Sequence, residues 1–245
     1  MNFHRFEDLT HFLQINATSG GPNPAVEKLR HLMRFSENFR KIYRPSTAIS
    51  IDESMCPFRG RFQHLAYEPR KPHKWGIKLI SECDALTGYC IAINPCLGKE
   101  SYGCDDEVKN LDQLLLKKLM LYNDASYHFY CDNFYCHPDL ALQFKKFGHD
   151  MTGTLKLERK DVPYKFAQAK LKRGQSKGFE SEDGVFILKF REKRDVCLLT
   201  TKDSLCFRDY TSRKGRKYRK PIALINYTTH MGGVDRLNQL TLYNW

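Results

Sequence analysis

Three aspartates stand where their carboxylates could do chemistry. Asp52 follows the apolar, serine-flanked run Ile49-Ser50-Ile51, which reads as a strand, and Glu53 comes directly after it. Arg59, Arg61, Lys71, Lys74 and Lys78 lie close behind, in Phe58-Arg59-Gly60-Arg61 and the stretch from Tyr67 to Lys78. A carboxylate at a strand position followed by cationic side chains suits phosphodiester chemistry, the acid holding a divalent metal and the bases the nucleic-acid backbone. Asp132 sits in Cys131-Asp132-Asn133-Phe134-Tyr135, and Asp235 in the run from Met231 through Gly232, Gly233 and Val234 to Gln239. Taken alone, an aspartate ending a strand is more often a turn-former or helix cap than a metal ligand. The five basic residues could pair with Glu68 and Glu82 instead of phosphates; phosphate contact is the preferred reading. Glu53 and Asp84 read as surface or turn acids, and Trp75 and the tyrosines as core and strand residues.

The elements that must position these acids follow from periodicity. Apolar spacing predicts helices over 3–13 and 24–43, with Asn23 as cap and Pro24 at the first helical position. Strands are expected at 48–51, 75–83 and 89–94, the last two joined by a hairpin turn with Gly88 at positive φ. A helix from 105 or 106 to 122 has acids at its start, Lys117 and Lys118 near its end, and an apolar face of Val108, Leu111, Leu115 and Leu119. A strand at 127–131 places Asp132 at its carboxyl end. A helix then starts at Pro138 with His137 as cap and stops at Gly148, and a strand follows at 151–157. Short strands at 185–190 and 196–200 precede a final helix near Val234, whose first turn holds Asp235. The organisation expected is 1–46 as helical support, 47–159 as the first part of the core, 160–222 as a basic, mainly β insertion, and 223–245 as the start of the last core helix.

Composition narrows the function classes. The 245 residues are 41% hydrophobic and 13% aromatic, enough for a substantial core. No apolar run is long enough to span a bilayer, so no membrane role is expected. Of the net charge of +12, nearly all lies between Lys156 and Lys220, where 20 Lys and Arg face 9 Asp and Glu. Such asymmetry suits a polyanion partner, or else a solvated basic segment. Its densest part, Arg213, Lys214, Arg216, Lys217, Arg219 and Lys220, fits a DNA contact, a nuclear-import signal, or both. The nine cysteines include no Cys-x-x-Cys pair, and Cys131-x4-Cys136-His137 lacks a second ligand pair. Reduced, buried thiols are expected, with no structural zinc.

Taken together, these blocks resemble the piggyBac transposase family. The resemblance rests on Ser50-Ile51-Asp52-Glu53, Phe58 to Arg61, Lys71-Pro72, Gly76-Ile77-Lys78, Asp132-Asn133-Phe134, Thr152-Gly153-Thr154 and Met231 to Asp235. It implies an α/β, RNase H-like mixed sheet flanked by helices, with Asp52 and Asp132 side by side on adjacent central strands. It also implies DNA strand cleavage and strand transfer by three aspartates, Asp52 and Asp132 bridging two Mg²⁺ or Mn²⁺ ions and Asp235 completing the set. The implied partners are transposon ends and target DNA, with dimerisation through regions outside this sequence, and the implied location is the nucleus. Asn238 replaces the family's further acid, Asn226-Tyr227-Thr228 replaces Asp-Tyr-Asn, and Glu158 replaces an Asn. With the family's zinc-binding domain and most of its amino-terminal region not in evidence, the chain is expected to be incomplete and inactive alone. The alternative expectation is a transposable-element-derived protein that binds DNA without turnover.

Overall fold

The computed structural model describes residues 5, 29, 33, 36–69, 71, 73–97, 108–211, 215 and 217–242. Its centre is β1 (Ala48–Pro57), where alternation does the sorting. Ile49 and Ile51 point to one face and are almost wholly buried, while Ser50 and Asp52 take the other. β1 pairs antiparallel with β3 (Trp75–Asp84) and parallel with β5 (His128–Cys131). β3 carries β4 (Cys90–Pro95) and the two-residue β2 (Ala66–Tyr67) on its other edge. On the far side β5 pairs parallel with β6 (Asp150–Thr154), and β6 antiparallel with β9 (Asp195–Thr200). β8 (Phe186–Arg191) and β7 (Ser176–Glu180) finish a nine-stranded sheet. β10 (Phe207–Thr211) and β11 (Lys217–Pro221) form a separate two-stranded ribbon.

Helices cover both faces. α1 (Leu111–Leu119), α2 (Pro138–Lys146) and the short α3 (Tyr164–Ala167) close the face of Ile49, Ile51, Phe129 and Leu199 into the main core. α4 (Ile222–His230) and α5 (Gly233–Leu242) lie on the opposite face, α4 burying Ala223 and Leu224 against Leu188 and Leu198. This is the mixed α/β, RNase H-like arrangement expected. Among the described residues no helix is long and apolar enough to cross a membrane.

The local signals explain most of the boundaries. Asn110 caps α1 by accepting from the Gln113 N–H at 2.9 Å, so that helix begins at Leu111 and not at 105 or 106; residues 108–110 are not helical. His137 caps α2 at the Leu140 N–H, 3.3 Å away, with Pro138 at the first turn, and Gly148 at φ 80° follows its end. Gly88, at φ 77°, makes the β3–β4 turn. Three expectations shift. β1 runs on to Pro57, because β3 pairs with it along its whole length. β6 stops at Thr154, short of 157. α4 was not anticipated, since Thr228 and Thr229 are poor helix formers; their hydroxyls bond back to the Leu224 and Ile225 carbonyls at 2.9 and 2.8 Å. The helices expected over 3–13 and 24–43 lie largely outside the described residues; residues 36–42 are helical.

Two readings of single residues are corrected. Asp84 is a turn acid, as one of its two readings had it, but fully buried and not at the surface: its carboxylate accepts from the Ser46, Leu86 and Thr87 N–H groups at 2.6, 2.8 and 3.0 Å and from the Tyr43 hydroxyl at 3.0 Å. Burial by itself favours the protonated form, but these donors outweigh it and hold the carboxyl below the usual range. Trp75 and Tyr67 are strand residues but not core, being 52% and 51% exposed.

Candidate active site

Parallel pairing fixes the first two acids. Ile51 stands opposite Cys131 in the β1–β5 register, so Asp52 and Asp132 come next on each strand, side by side. Asp52 Oδ1 accepts from the Glu53 N–H at 2.7 Å. Asp132 Oδ1 accepts from the Asn133 N–H at 2.6 Å and from Thr154 Oγ1 at 2.8 Å, which ties it to the end of β6. Arg159 braces the same loop, its Nη2 donating to the Asn133 carbonyl at 3.1 Å.

Asp235 arrives from the opposite layer. α5 begins at Gly233, which sits on the sheet so closely that an added Cβ would run into Ser50 Oγ and come within 3.1 Å of the Asp84 carbonyl and 3.3 Å of Cys83 Cβ. Ser50 shares its face of β1 with Asp52, so this contact sets the first turn of α5 beside the two strand acids. Arg236 pins the turn, Nη1 donating to the Leu86 carbonyl at 2.6 Å. Gly233→Ala should therefore lift α5 at its start, costing about 1–3 kcal/mol by overpacking. Thermal unfolding checks the cost, and an unchanged melting temperature would show that α5 is free to move.

Electrostatics link the three acids. Burial pushes the Asp52 carboxyl up to about 6; the Glu53 N–H and Lys71 oppose the rise, and Asp132 and Asp235 add to it. Lys71 Nζ also donates to the Glu53 carbonyl at 3.2 Å. Asp132 and Asp235 are thus near enough to act on Asp52, yet among the described residues no three His, Cys, Asp or Glu stand close enough to hold a metal as they are. Asp235 is exposed in the first turn of α5. The donor set is all carboxylate oxygen, which suits Mg²⁺ or Mn²⁺.

The basic residues divide into groups. Lys78 faces inward, pairing with Glu53 at 2.8 Å and Glu68 at 3.6 Å and lying 5.5 Å from the Phe134 ring centre. Arg59, Arg61 and Lys74 are exposed at the β2 end of the sheet, and Lys71 turns towards Asp52. On the ribbon Lys217 and Arg219 are exposed, Arg219 lying over Phe207 at 5.8 Å, while Lys220 pairs with Glu192 and lies over Tyr210 at 4.8 Å. Arg213, Lys214 and Arg216 lie outside the described residues. Sequence reasoning missed the supporting roles of Thr154 and Arg159. Thr152-Gly153-Thr154 served there only as a landmark, although its position at the end of a strand beside Asp132 was a usable signal.

Comparison with known proteins gives the family and agrees with the fold. A family model described as "Transposase IS4" matches residues 1–243. Human PiggyBac transposable element-derived protein 3 is 26% identical over 253 residues, a match covering 98% of this chain and 42% of that protein. The human chimeric ERCC6-PGBD3 protein is also 26% identical over 253 residues, with 24% of its length covered. The chain therefore spans less than half the length of these curated relatives. A cryo-EM structure of a piggyBac transposase synaptic complex with hairpin DNA superposes with a TM-score of 0.69 at 25% identity, covering 98% of this chain and 50% of that one. With nearly its whole length matched by the family and the same fold in a solved member, this chain belongs to the piggyBac-type transposases of the Transposase IS4 family.

Proposed function

We propose that this chain is the catalytic core of a piggyBac-type DNA transposase, which cuts and joins DNA strands with Asp52, Asp132 and Asp235 as metal ligands. The observation that carries the proposal is that Asp52 and Asp132 directly follow Ile51 and Cys131, the last registered pair of the parallel strands β1 and β5, with Asp235 close enough to act on Asp52. Asp132 and Asp235 both disfavour charge on Asp52, a crowding that a divalent cation relieves, and three carboxylates are donors of the kind such a cation takes. Bound there, one or two Mg²⁺ or Mn²⁺ ions would supply Lewis-acid stabilisation of the attacking and leaving oxygens. The chain's own part is positional. Thr154 and the Asn133 N–H orient the Asp132 carboxylate, the Glu53 N–H orients that of Asp52, and Lys71 offsets negative charge beside it. Of the basic residues singled out from the sequence, Arg59, Arg61, Lys74, Lys217 and Arg219 are exposed and available to DNA phosphates, and the superposed relative is itself a DNA complex. DNA as substrate implies a nuclear location.

A second reading, DNA binding without turnover, draws on the spacing of the acids and on Asn238. Incubating the protein with pre-nicked duplex carrying piggyBac-type ends, with Mg²⁺ or Mn²⁺, separates the two. Strand cleavage supports the catalytic reading. Salt-sensitive binding with no product in either metal favours the second.

A further inference from the structure

We propose that Tyr67 and Trp75 form a platform on which an unpaired nucleobase stacks, so that the β2 end of the sheet holds a single DNA strand. The inference rests on the DNA-acting function proposed above but concerns a separate place in the fold. Tyr67 and Trp75 face each other across the β2–β3 ladder, their ring centres 4.7 Å apart and tilted by 40°. Both are about half exposed, at 51% and 52%, although rings of this size normally bury their faces. Phe58, 38% exposed, adjoins them, its N–H directed at the Trp75 carbonyl at 3.5 Å. β2 is a sheet edge, so among the described residues no further strand covers the pair.

Charge identifies the occupant. Among the described residues from 57 to 76, Arg59, Arg61 and Lys74 are exposed, and one acid, Glu68, has a side chain 37% exposed. Glu68, the nearby acid, pairs with Lys78. A hydrophobic protein segment would have no use for such a rim, whereas aromatic faces interleaved with Arg and Lys are what single-stranded nucleic acid requires: bases on the rings, phosphates on the cations. Duplex DNA keeps its bases stacked on one another and cannot use the rings. Distance fits as well. Phe58 follows Asp52 by six residues on or next to β1, which is about 20 Å at ~3.3 Å per residue. That is the span of roughly six stacked nucleotides at ~3.4 Å each. A strand end leaving the aspartates along β1 and β3 therefore reaches the platform.

Trp75 is itself the reporter, because the chain has two tryptophans and a Trp245→Phe background leaves Trp75 alone. Titrating that protein with oligo-dT and, separately, with blunt duplex of the same length should quench Trp75 with the single strand and not with the duplex. Tyr67→Ala with Trp75→Ala should weaken oligo-dT binding about tenfold or more, as the loss of base–aromatic stacking requires, and leave duplex affinity unchanged. Trp75→Phe should restore most of the loss, which a merely structural role of the ring would not separate by DNA form. Quenching by both DNAs alike, or equal loss on both, overturns the proposal. So does an unchanged affinity for oligo-dT in the double variant. Cleavage of nicked duplex is scored on the same proteins, so a failed platform with retained cleavage leaves the catalytic reading standing, and quenching without cleavage leaves the platform standing.

Discussion

Asp52→Asn should eliminate metal-dependent strand cleavage and, in metal-free buffer, make the protein more stable. Loss of a metal's charge stabilisation is worth several kcal/mol, and ~1.4 kcal/mol is tenfold in rate, so a decrease of about 10³-fold or more is expected, and the same for Asp132→Asn. The stability effect follows from the carboxyl of Asp52, lifted from the usual 3.8 to about 6. A carboxyl whose folded value lies above its unfolded value binds more protons folded than unfolded between the two. Stability contributed by this group therefore falls as pH rises from about 4 to about 6 and stays at the lower level above it. The difference corresponds to at most about 3 kcal/mol, less to the extent that water reaches the group. At pH 8 Asn removes that cost, so melting temperature should rise, and the pH dependence between about 4 and 6 should flatten. Added Mg²⁺ should stabilise the wild-type chain and not the variant, since binding to the folded state alone shifts its unfolding. Asp84→Asn is the contrast: that acid is held ionised by its donors, so the change should destabilise. An Asp52→Asn protein that still cuts, or one that melts lower than wild type without metal, removes Asp52 from the site.

The contrast between Asp52 and Asp84 also shows what the sequence made legible. Both follow strand-like runs, and nothing local distinguishes a carboxylate that four donors hold ionised from one left crowded beside two others. The three blocks around Asp52, Asp132 and Asp235 were legible because their wording is distinctive, and their convergence followed only through the fold that the wording implied. Strand and helix positions were readable where one face is apolar at a steady period, as in β1 and α1, or where a cap speaks plainly, as His137 does. What escaped depends on partners distant in sequence. The extension of β1 to Pro57 is dictated by β3, the burial of α4 by Leu188 and Leu198, and the inward turn of Lys78 by Glu53 and Glu68. The exposure of Trp75 is of the same kind, since an aromatic residue in a strand is expected to be covered until the sheet proves to end beside it.

The largest stability loss is expected from Glu82→Ala. Glu82 lies on β3, 1% exposed, and one of its oxygens, Oε2, takes both Arg40 Nη2 at 2.8 Å and the Tyr122 hydroxyl at 2.7 Å. The Arg40 guanidinium also rests over the Tyr122 ring, 4.4 Å from its centre, and its side chain is only 19% exposed. Removing the acid leaves a mostly buried cation and a buried hydroxyl without their partner, a defect that costs about 3–5 kcal/mol where it has been isolated. Against a domain stability of about 5–15 kcal/mol, that is a substantial share. The pair's net worth is a different quantity, because bringing both charges out of water offsets much of their attraction. Glu82→Leu combined with Arg40→Met should therefore recover most of what Glu82→Ala loses, while Glu82→Leu alone should not. Urea unfolding of the four proteins measures both numbers, provided the slope against denaturant stays constant. A single-variant cost below about 1 kcal/mol would mean that Arg40 swings into solvent once released. The pair matters beyond stability, because Glu82 is followed by Cys83 and Asp84, the β3 residues against which Gly233 seats the helix that carries Asp235. A loosened Arg40–Glu82 pair should thus lower cleavage more than DNA binding, through the third aspartate, at temperatures where the chain is still folded.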